Sequence, residues 1–558
     1  MNPIPAVQKA AAVTGLQGQP GQAGAASQRP ASRTPGRPGR AGLVALVGAG
    51  PGDPELLTVR AATLLADADI ILAALQLSGR AADLIRADAT VLDEADPDAD
   101  IKVLIKAARS GQVALRLFDG DPFLFGGAAA DAAACAKAKV AFEIVPGISP
   151  ATAVPAYAGI PLIQDVTGQV RIVNADEVSR VSVEPGSLVI LGAEMGVTDI
   201  AKMLIAGGWP DSTPFAVTWN GTTTDQHTVA GTLGTIAADL KAAGVSLLTV
   251  HGPAVAVAGD GVREQRSLSW FENKPLFGWR VLVPRTKEQA ASVCERLRAA
   301  GAVPEQVPTI AVEPPRTPQQ MERAVRGLVT GRYQWVAFTS ANAVRAVREK
   351  LEEYGLDARA FAGVKVAAVG EQTAASLRAF GIAPDLIPEH EQSAEGLANS
   401  WPPYDDLLDP INRVLLPRAD IATEGLVARL TELGWEAEDV TAYRTVRAAP
   451  PPAPIREAIK TGGFDAVLFT SSSTVRNLIG IAGKPHAVTV VAVIGPETAK
   501  TAAEFGLRVD VIAPKPSALA LVDALADHGA GLRDAAAQAG EPLRRPSERR
   551  RGARRRAS

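Results

Sequence analysis

The sequence predicts an α/β protein made of a two-subdomain unit followed by a bilobal one, with disordered segments at both ends. Three observations predict it. Short apolar strands run into glycine- or hydroxyl-rich turns that open helices, the rhythm of parallel α/β sheets. In the second half these strand–turn motifs occur twice, in the same order. With 558 residues, 47% of them hydrophobic, the chain can fill several cores at roughly 150 residues per domain.

Residues 1–40 are rich in Pro, Gly, Ala, Gln and Arg without hydrophobic period, and read as disordered. Order begins with the strand Leu43–Val47, which enters a turn bearing Gly48, Gly50 and Gly52. A helical face of Leu56, Leu57, Ala61, Leu64 and Leu65 follows, then a strand at Ile70–Leu72. A second subdomain is expected to open near Gly186 and to continue through Pro214–Val217 and Ala254–Ala258. These make one domain over 41–262, and 263–277 reads as a linker.

From 280 onward the chain repeats itself. Val281–Arg285 recurs as Val414–Arg418, and Arg296 with Leu297 recurs as Arg429 with Leu430. Phe338–Ser340 recurs as Phe469–Ser471, and Val369–Ala374 as Ile494–Ala499. The offsets of 133, 133, 131 and 125 residues are nearly constant, which indicates an internal duplication. That period is too long for a solenoid, so two similar α/β lobes are expected. Ligands of such folds gather at the carboxyl ends of the strands, here between the lobes.

Each Phe-Thr-Ser turn and each Gly-x-x-Thr turn places hydroxyls and free N–H groups at a helix amino terminus, where anions are stabilised. Two facing lobes would offer such turns to one polyanion. Taken singly, each Ser or Thr is an ordinary N-cap worth about 1 kcal/mol; their duplication is what favours binding. No nucleophile elbow, paired His or metal spacing occurs in this half.

Composition narrows the function further. Cys135 and Cys294 stand alone and the five histidines are scattered, so neither a disulfide framework nor a metal site is expected. Residues 1–40 carry +5 and 541–558 carry +6; with a total of −3, the stretch between carries −14. An acidic body argues against nucleic acid. The Arg-rich end, 528–558, reads as a solvated disordered tail. No apolar run is long enough to span a membrane, and no secretory signal is evident, so a cytoplasmic protein is expected.

Over 278–527 the ordered motifs VLVPR, FTSANAV, AVGEQTA, LLPRA, VTAYRT (440–445), FTSSSTV and VIGPETA resemble uroporphyrinogen-III synthases. The resemblance implies a cofactor-free hydro-lyase acting on hydroxymethylbilane, a linear tetrapyrrole with eight carboxylates. Such enzymes expel the terminal hydroxyl, invert ring D through a spiro intermediate and close the macrocycle. It also implies a discontinuous first lobe, 278–314 with 447–527, and a second lobe, 315–446. Tyr443 matches the tyrosine proposed to assist hydroxyl loss, or is a strand tyrosine capping an edge. Thr373 and Thr498 match catalytic threonines of the cleft. Ser340, Ser471, Arg285 and Arg418 are substrate-binding candidates, although each arginine could equally pair with a neighbouring Asp or Glu.

Gly48, Gly50 and Gly52 lack the spacing of a dinucleotide fingerprint, because position 53 is Asp. Together with Gly120–Gly126, Val145–Ile148, Ala156–Leu162 and Asn220–Thr222 with Gln226, they resemble tetrapyrrole methyltransferases, uroporphyrinogen-III C-methyltransferase above all. The resemblance implies S-adenosylmethionine contacts at Pro51, Asp119, Gly120, Asp121, Leu124, Ser149 and Gly221, and a homodimer through this domain. The family's acidic and basic acceptor-site residues are replaced, by Ala73–Gln76, Ala95–Pro97, Leu117–Asp121, Phe125–Ala129 and Ile163–Asp165. A polyanionic acceptor loses its electrostatic attraction by those changes. Three readings follow. The first is an active synthase with a methyltransferase-like domain degenerate at its acceptor site. The second is a bifunctional synthase and methyltransferase making precorrin-2, and the third a non-catalytic bilobal anion binder.

Overall fold

The computed structural model describes residues 42–549 except 74–81, 83, 94–96, 125–126, 164–167, 246–252, 421–424 and 542. The expected disorder of 1–40 and of the last residues, 550–558, lies outside that range. The chain divides into two units, one ending at Ser149 and one starting at Pro150.

The first unit holds β1 (Leu43–Gly48), β2 (Ile70–Ala73), β3 (Thr90–Asp93), β4 (Val113–Phe118) and β5 (Phe142–Val145) in the order β3-β2-β4-β1-β5, every pair parallel. The central strands β1 and β4 are apolar almost throughout and buried, as strands covered on both faces must be. The first α-helix is Val59–Asp67 and buries Ala61, Leu64 and Leu65. It starts later than the sequence pattern suggested because Thr58 caps it, its hydroxyl accepting from Ala61 N at 3.2 Å. Pro54–Leu56 forms a separate 3-10 turn, so Leu56 and Leu57 are not on the helix.

The second unit opens at the helix Pro150–Ala158, well before Gly186. Its first sheet contains β6 (Val170–Asn174), β7 (Ser187–Leu191), β8 (Pro214–Trp219), β9 (His227–Thr232) and β10 (Ala254–Ala258), ordered β6-β7-β10-β8-β9. Only β6 and β7 pair in parallel among these strands; the other pairs are antiparallel.

Ten further strands follow among the described residues: β11 (Arg280–Val283), β12 (Val303–Gln306), β13 (Ile310–Glu313), β14 (Trp335–Phe338), β15 (Lys365–Ala368), β16 (Arg413–Ala419), β17 (Glu436–Arg447), β18 (Ala466–Phe469), β19 (Val490–Val493) and β20 (Val511–Ile512). They form two sheets, β12-β11-β18-β19-β20 and β13-β17-β16-β14-β15. We call these lobe A and lobe B. Strand β11 of the first repeat thus shares a sheet with β18 and β19 of the second and pairs with β18, and β16 of the second shares a sheet with β14 and β15 of the first and pairs with β14. The duplicated halves are interleaved. Strand β13, expected to close the opening segment of the first lobe, pairs antiparallel with β17 in lobe B instead.

Two expectations are corrected here. The segment 263–277 is packed rather than a free linker: Phe271 and Leu276 are buried. Trp270 packs edge-on against Tyr157 and donates its indole N–H to Ala156 O at 3.0 Å. The described residues between 528 and 549 are also packed against the fold rather than free. A helix runs over Ala518–Gln538, burying Leu521, Val522, Leu525 and Gly529. Arg533 donates to the carbonyls of Asn273 and Lys274, and Arg545 to that of Gly278. Ser547 N donates to Asp465 Oδ1 at 2.9 Å. A compositional reading missed this because the apolar stripe lies upstream of the arginines, whose heads find backbone carbonyls.

Candidate functional site

In both lobes the strand register gathers the candidate turns at one sheet edge. In lobe A, β11 pairs with β18, and Phe469 of β18 lies opposite Val493 of β19. Arg285, Ser471 and Thr498, which follow those three strand ends, therefore share the carboxyl edge. In lobe B, Phe338 of β14 lies opposite Ala368 of β15, and β14 also pairs with β16. That places Ser340, Thr373 and Arg418 together. Tyr443 joins them on β17, opposite Ala419.

The serines are N-caps, as sterics and hydrogen bonding dictate for extended residues at a strand-to-helix junction. Ser340 Oγ accepts from Ala343 N at 3.1 Å, at the start of the helix Ala341–Glu353. Ser471 forms a reciprocal capping box with Thr474 and lies 2.8 Å from Ser473 Oγ. Thr373 and Thr498 occupy the first turns of the helices Glu371–Ala379 and Pro496–Glu504. They are only 3% and 4% exposed, and neither hydroxyl bonds to another described residue. Thr501 Oγ1 and Ser472 Oγ, 2.9 Å apart, tie the two lobe A turns together.

The two strand-end arginines differ. Arg418 is buried and forms a two-pronged pair with Asp439, with Nε to Oδ1 at 2.6 Å. Of the two partners the sequence allowed it, the structure gives it the neighbouring aspartate. Arg285 is half-buried, and no described carboxylate pairs with it. Burial alone lowers its guanidinium pKa from the ordinary value.

Tyr443 is 7% exposed, and its hydroxyl lies 3.0 Å from Ser340 Oγ. It also lines a cavity of about 340 Å³ with Glu313, Asn342, Arg345 and Lys350. Sequence reasoning missed Asn342 and Arg345. The signal was their position on the first turns after Ser340, a helix start already singled out.

In the first unit, Gly48, Gly120 and Gly147 meet where β1, β4 and β5 end. A Cβ on Gly147 would stand 2.0 Å from Gly120 O, so these glycines are needed for backbone-to-backbone approach. Gly50 and Gly120 pair in a short antiparallel bridge. Asp121 is a structural clamp: its carboxylate accepts from Phe123 N, Leu124 N and Gly147 N at 2.8, 2.9 and 3.1 Å. Asp119 is exposed to solvent at the end of β4. Desolvation raises its carboxyl pKa, partly offset by the Gly120 N–H. Pro51 and Ser149 are half-buried, while Phe123, Leu124 and Ile148 are exposed. An exposed apolar surface beside an acid suits a ligand that carries an aromatic ring and a cationic group.

Gly221 belongs to the second unit, where a Cβ would meet Val154 Cγ2 at 2.4 Å. Close packing already requires that glycine. The replaced residues Ala74–Gln76, Ala95, Asp96, Phe125, Gly126, Gln164 and Asp165 lie outside the described residues. Burial pushes the Cys135 and Cys294 thiols up, which suits core packing rather than nucleophilic chemistry.

Comparison with known proteins gives two family matches. Residues 291–523 match the model of uroporphyrinogen-III synthase HemD, and residues 43–237 that of the tetrapyrrole (corrin/porphyrin) methylases. The porphyrin biosynthesis protein HemD of Ruminiclostridium josui is 30% identical over 512 residues, covering 87% of this chain and 98% of that protein. The siroheme synthase of Ectopseudomonas mendocina (strain ymp) is 37% identical over 244 residues, 41% of this chain. The chain spans about half the length, 52%, of that relative. The uroporphyrin-III C-methyltransferase of Thermus thermophilus, solved with S-adenyl homocysteine, is 28% identical over 40% of this chain and 99% of that one, with a TM-score of 0.34. No helix among the described residues is long and apolar enough to cross a membrane.

Proposed function

The chain belongs to the family of the porphyrin biosynthesis protein HemD, and from that premise we propose that it is a uroporphyrinogen-III synthase fused to a methyltransferase-like domain. The substrate is hydroxymethylbilane. The observation that carries the reading is the pair of sheet edges, one per lobe, that each gather a capped helix start, a buried threonine and a strand-end arginine. In this reading both edges face one cleft and hold the substrate's carboxylates, chiefly through helix amino termini and Arg285.

Tyr443 protonates the terminal hydroxyl, which leaves as water with the electron pair of its C–O bond. The phenolate is reprotonated by the proton that the free pyrrole α-carbon sheds as the ring closes. Thr373 and Thr498 hold substrate acids or bound water. Restraining the reactive bilane so that ring D inverts before closure is the larger part of the task. No cofactor is required in this scheme.

The synthase is assigned to about 278–527 and the methyltransferase-like domain to 41–262, which offers a dimer surface. Asp119, Phe123 and Leu124, with the Gly120 and Gly147 backbones, would hold S-adenosylmethionine, whose chemistry is methyl donation. The lost acceptor-site charges favour an inactive or regulatory domain there. A cytoplasmic place follows from the biosynthetic role.

The experiment supplies purified protein with fresh hydroxymethylbilane and separates product isomers I and III. Isomer III in excess is expected, with little methylation on adding S-adenosylmethionine. Isomer I alone would end the synthase reading, and precorrin-2 absorbance would favour the fully bifunctional one.

A further inference from the structure

We propose that Ser340 is a positioning residue for Tyr443: it gives its proton to the phenol oxygen and so leaves the phenol's own proton aimed at the departing hydroxyl. This deepens the synthase reading and rests on it. A serine hydroxyl has one proton and two lone pairs. The cap takes one lone pair, since Ala343 N donates to Ser340 Oγ at 3.1 Å. Across the 3.0 Å contact with Tyr443 Oη either hydroxyl can donate, and in this assignment Ser340 is the donor and the phenol oxygen the acceptor.

The tyrosine ring is buried, at 7% exposure. It sits in the lobe B core with Phe338, Val344, Met321 and Ala442. What stays free is rotation of the phenol O–H about its C–O bond, and an incoming hydrogen bond fixes it. A general acid works only when its proton points at the leaving oxygen. The twin serine shows that this contact is not inherent in the turn, because Ser471 pairs with Ser473 and Thr474 instead. In this assignment Ser340 has no proton left for a substrate carboxylate.

The test uses the full chain and compares wild type with Ser340→Gly, Ser340→Thr, Tyr443→Phe and the Ser340→Gly/Tyr443→Phe double variant. Glycine is itself a favoured N-cap residue, so Ser340→Gly is expected to fold, and a thermal melt checks this. Its kcat for isomer III should fall about tenfold with KM little changed, as for loss of an aligned proton donor. Threonine should restore kcat to within about twofold, since it keeps the hydroxyl. The double variant should be no slower than Tyr443→Phe alone, the non-additivity of two residues acting as one.

If Ser340→Gly slows Tyr443→Phe by the same factor as it slows wild type, the serine acts independently and the proposal is overturned. Full activity in Tyr443→Phe also overturns it while leaving the synthase reading intact. Wild type that yields only isomer I removes both, and that outcome is visible before any variant is made.

Discussion

Lobes A and B descend from the same duplicated sequence, yet they use matching residues differently. At the strand-end arginine, lobe B pairs the buried Arg418 with a partly exposed Asp439, while lobe A leaves Arg285 half-buried with no described carboxylate against it. At the capping serine, lobe B enlists Tyr443, and lobe A completes a capping box. Matching motifs therefore make different contacts in the two lobes, and in the proposed reading one copy serves chemistry and the other stability. In the proposed reading lobe B supplies the proton donor, Tyr443, and lobe A supplies Arg285, a cation that no described carboxylate pairs with.

The arginines give the widest test of that division. Arg285→Ala should lower kcat/KM for isomer III by about 10- to 100-fold, the worth of a charge-assisted hydrogen bond to a carboxylate, about 1.5–3 kcal/mol. Its denaturant midpoint should barely change. Arg418→Ala should do the reverse. Asp439 is partly exposed and can rehydrate, so the loss should fall below the about 3–5 kcal/mol of a fully buried broken pair, near 2–3 kcal/mol. Urea unfolding and steady-state rates on both variants decide it; equal loss of rate in the two would dissolve the comparison.

A second test concerns what supports lobe A. This lobe is fastened by the helix Ala518–Gln538 and by Arg545 and Ser547. Asp465, just before β18, accepts from both Arg280 N and Ser547 N. Arg533→Ala removes two charge-assisted bonds to the carbonyls of Asn273 and Lys274 and should cost about 1–3 kcal/mol. The melt should show it. An unchanged midpoint would mean that the extension contributes little to this lobe.

Much of this was legible in the sequence. Alternating strand and helix patterns marked the α/β class, and near-constant offsets marked the duplication. The interleaving was not legible from those offsets, because a motif's spacing is the same whether its strand stays in its own repeat or crosses to the other. Arg418 looked like Arg285 for a related reason: Asp439 is 21 residues away and meets it only because β16 pairs with β17. The contact of Ser340 with Tyr443 spans 103 residues and has no local signature. The ordered extension was hidden by composition, since arginine-rich ends usually stay solvated, whereas Arg533 and Arg545 donate to backbone carbonyls of Asn273, Lys274 and Gly278.

The smallest predicted effect separates capping from catalysis. Ser471→Ala removes the hydroxyl that accepts from Thr474 N, and the reciprocal half of the box, Thr474 Oγ1 receiving from Ser471 N, survives. The cost should be about 1 kcal/mol of stability, the usual worth of an N-cap. If Ser471 only caps, kcat should move less than about twofold once assayed well below the melting point, for a lost cap leaves the folded geometry alone. Should Ser471→Ala instead raise KM severalfold with the melt unchanged, the serine holds substrate directly. Lobe A would then contribute a hydroxyl as well as the Arg285 cation to the bilane's acids.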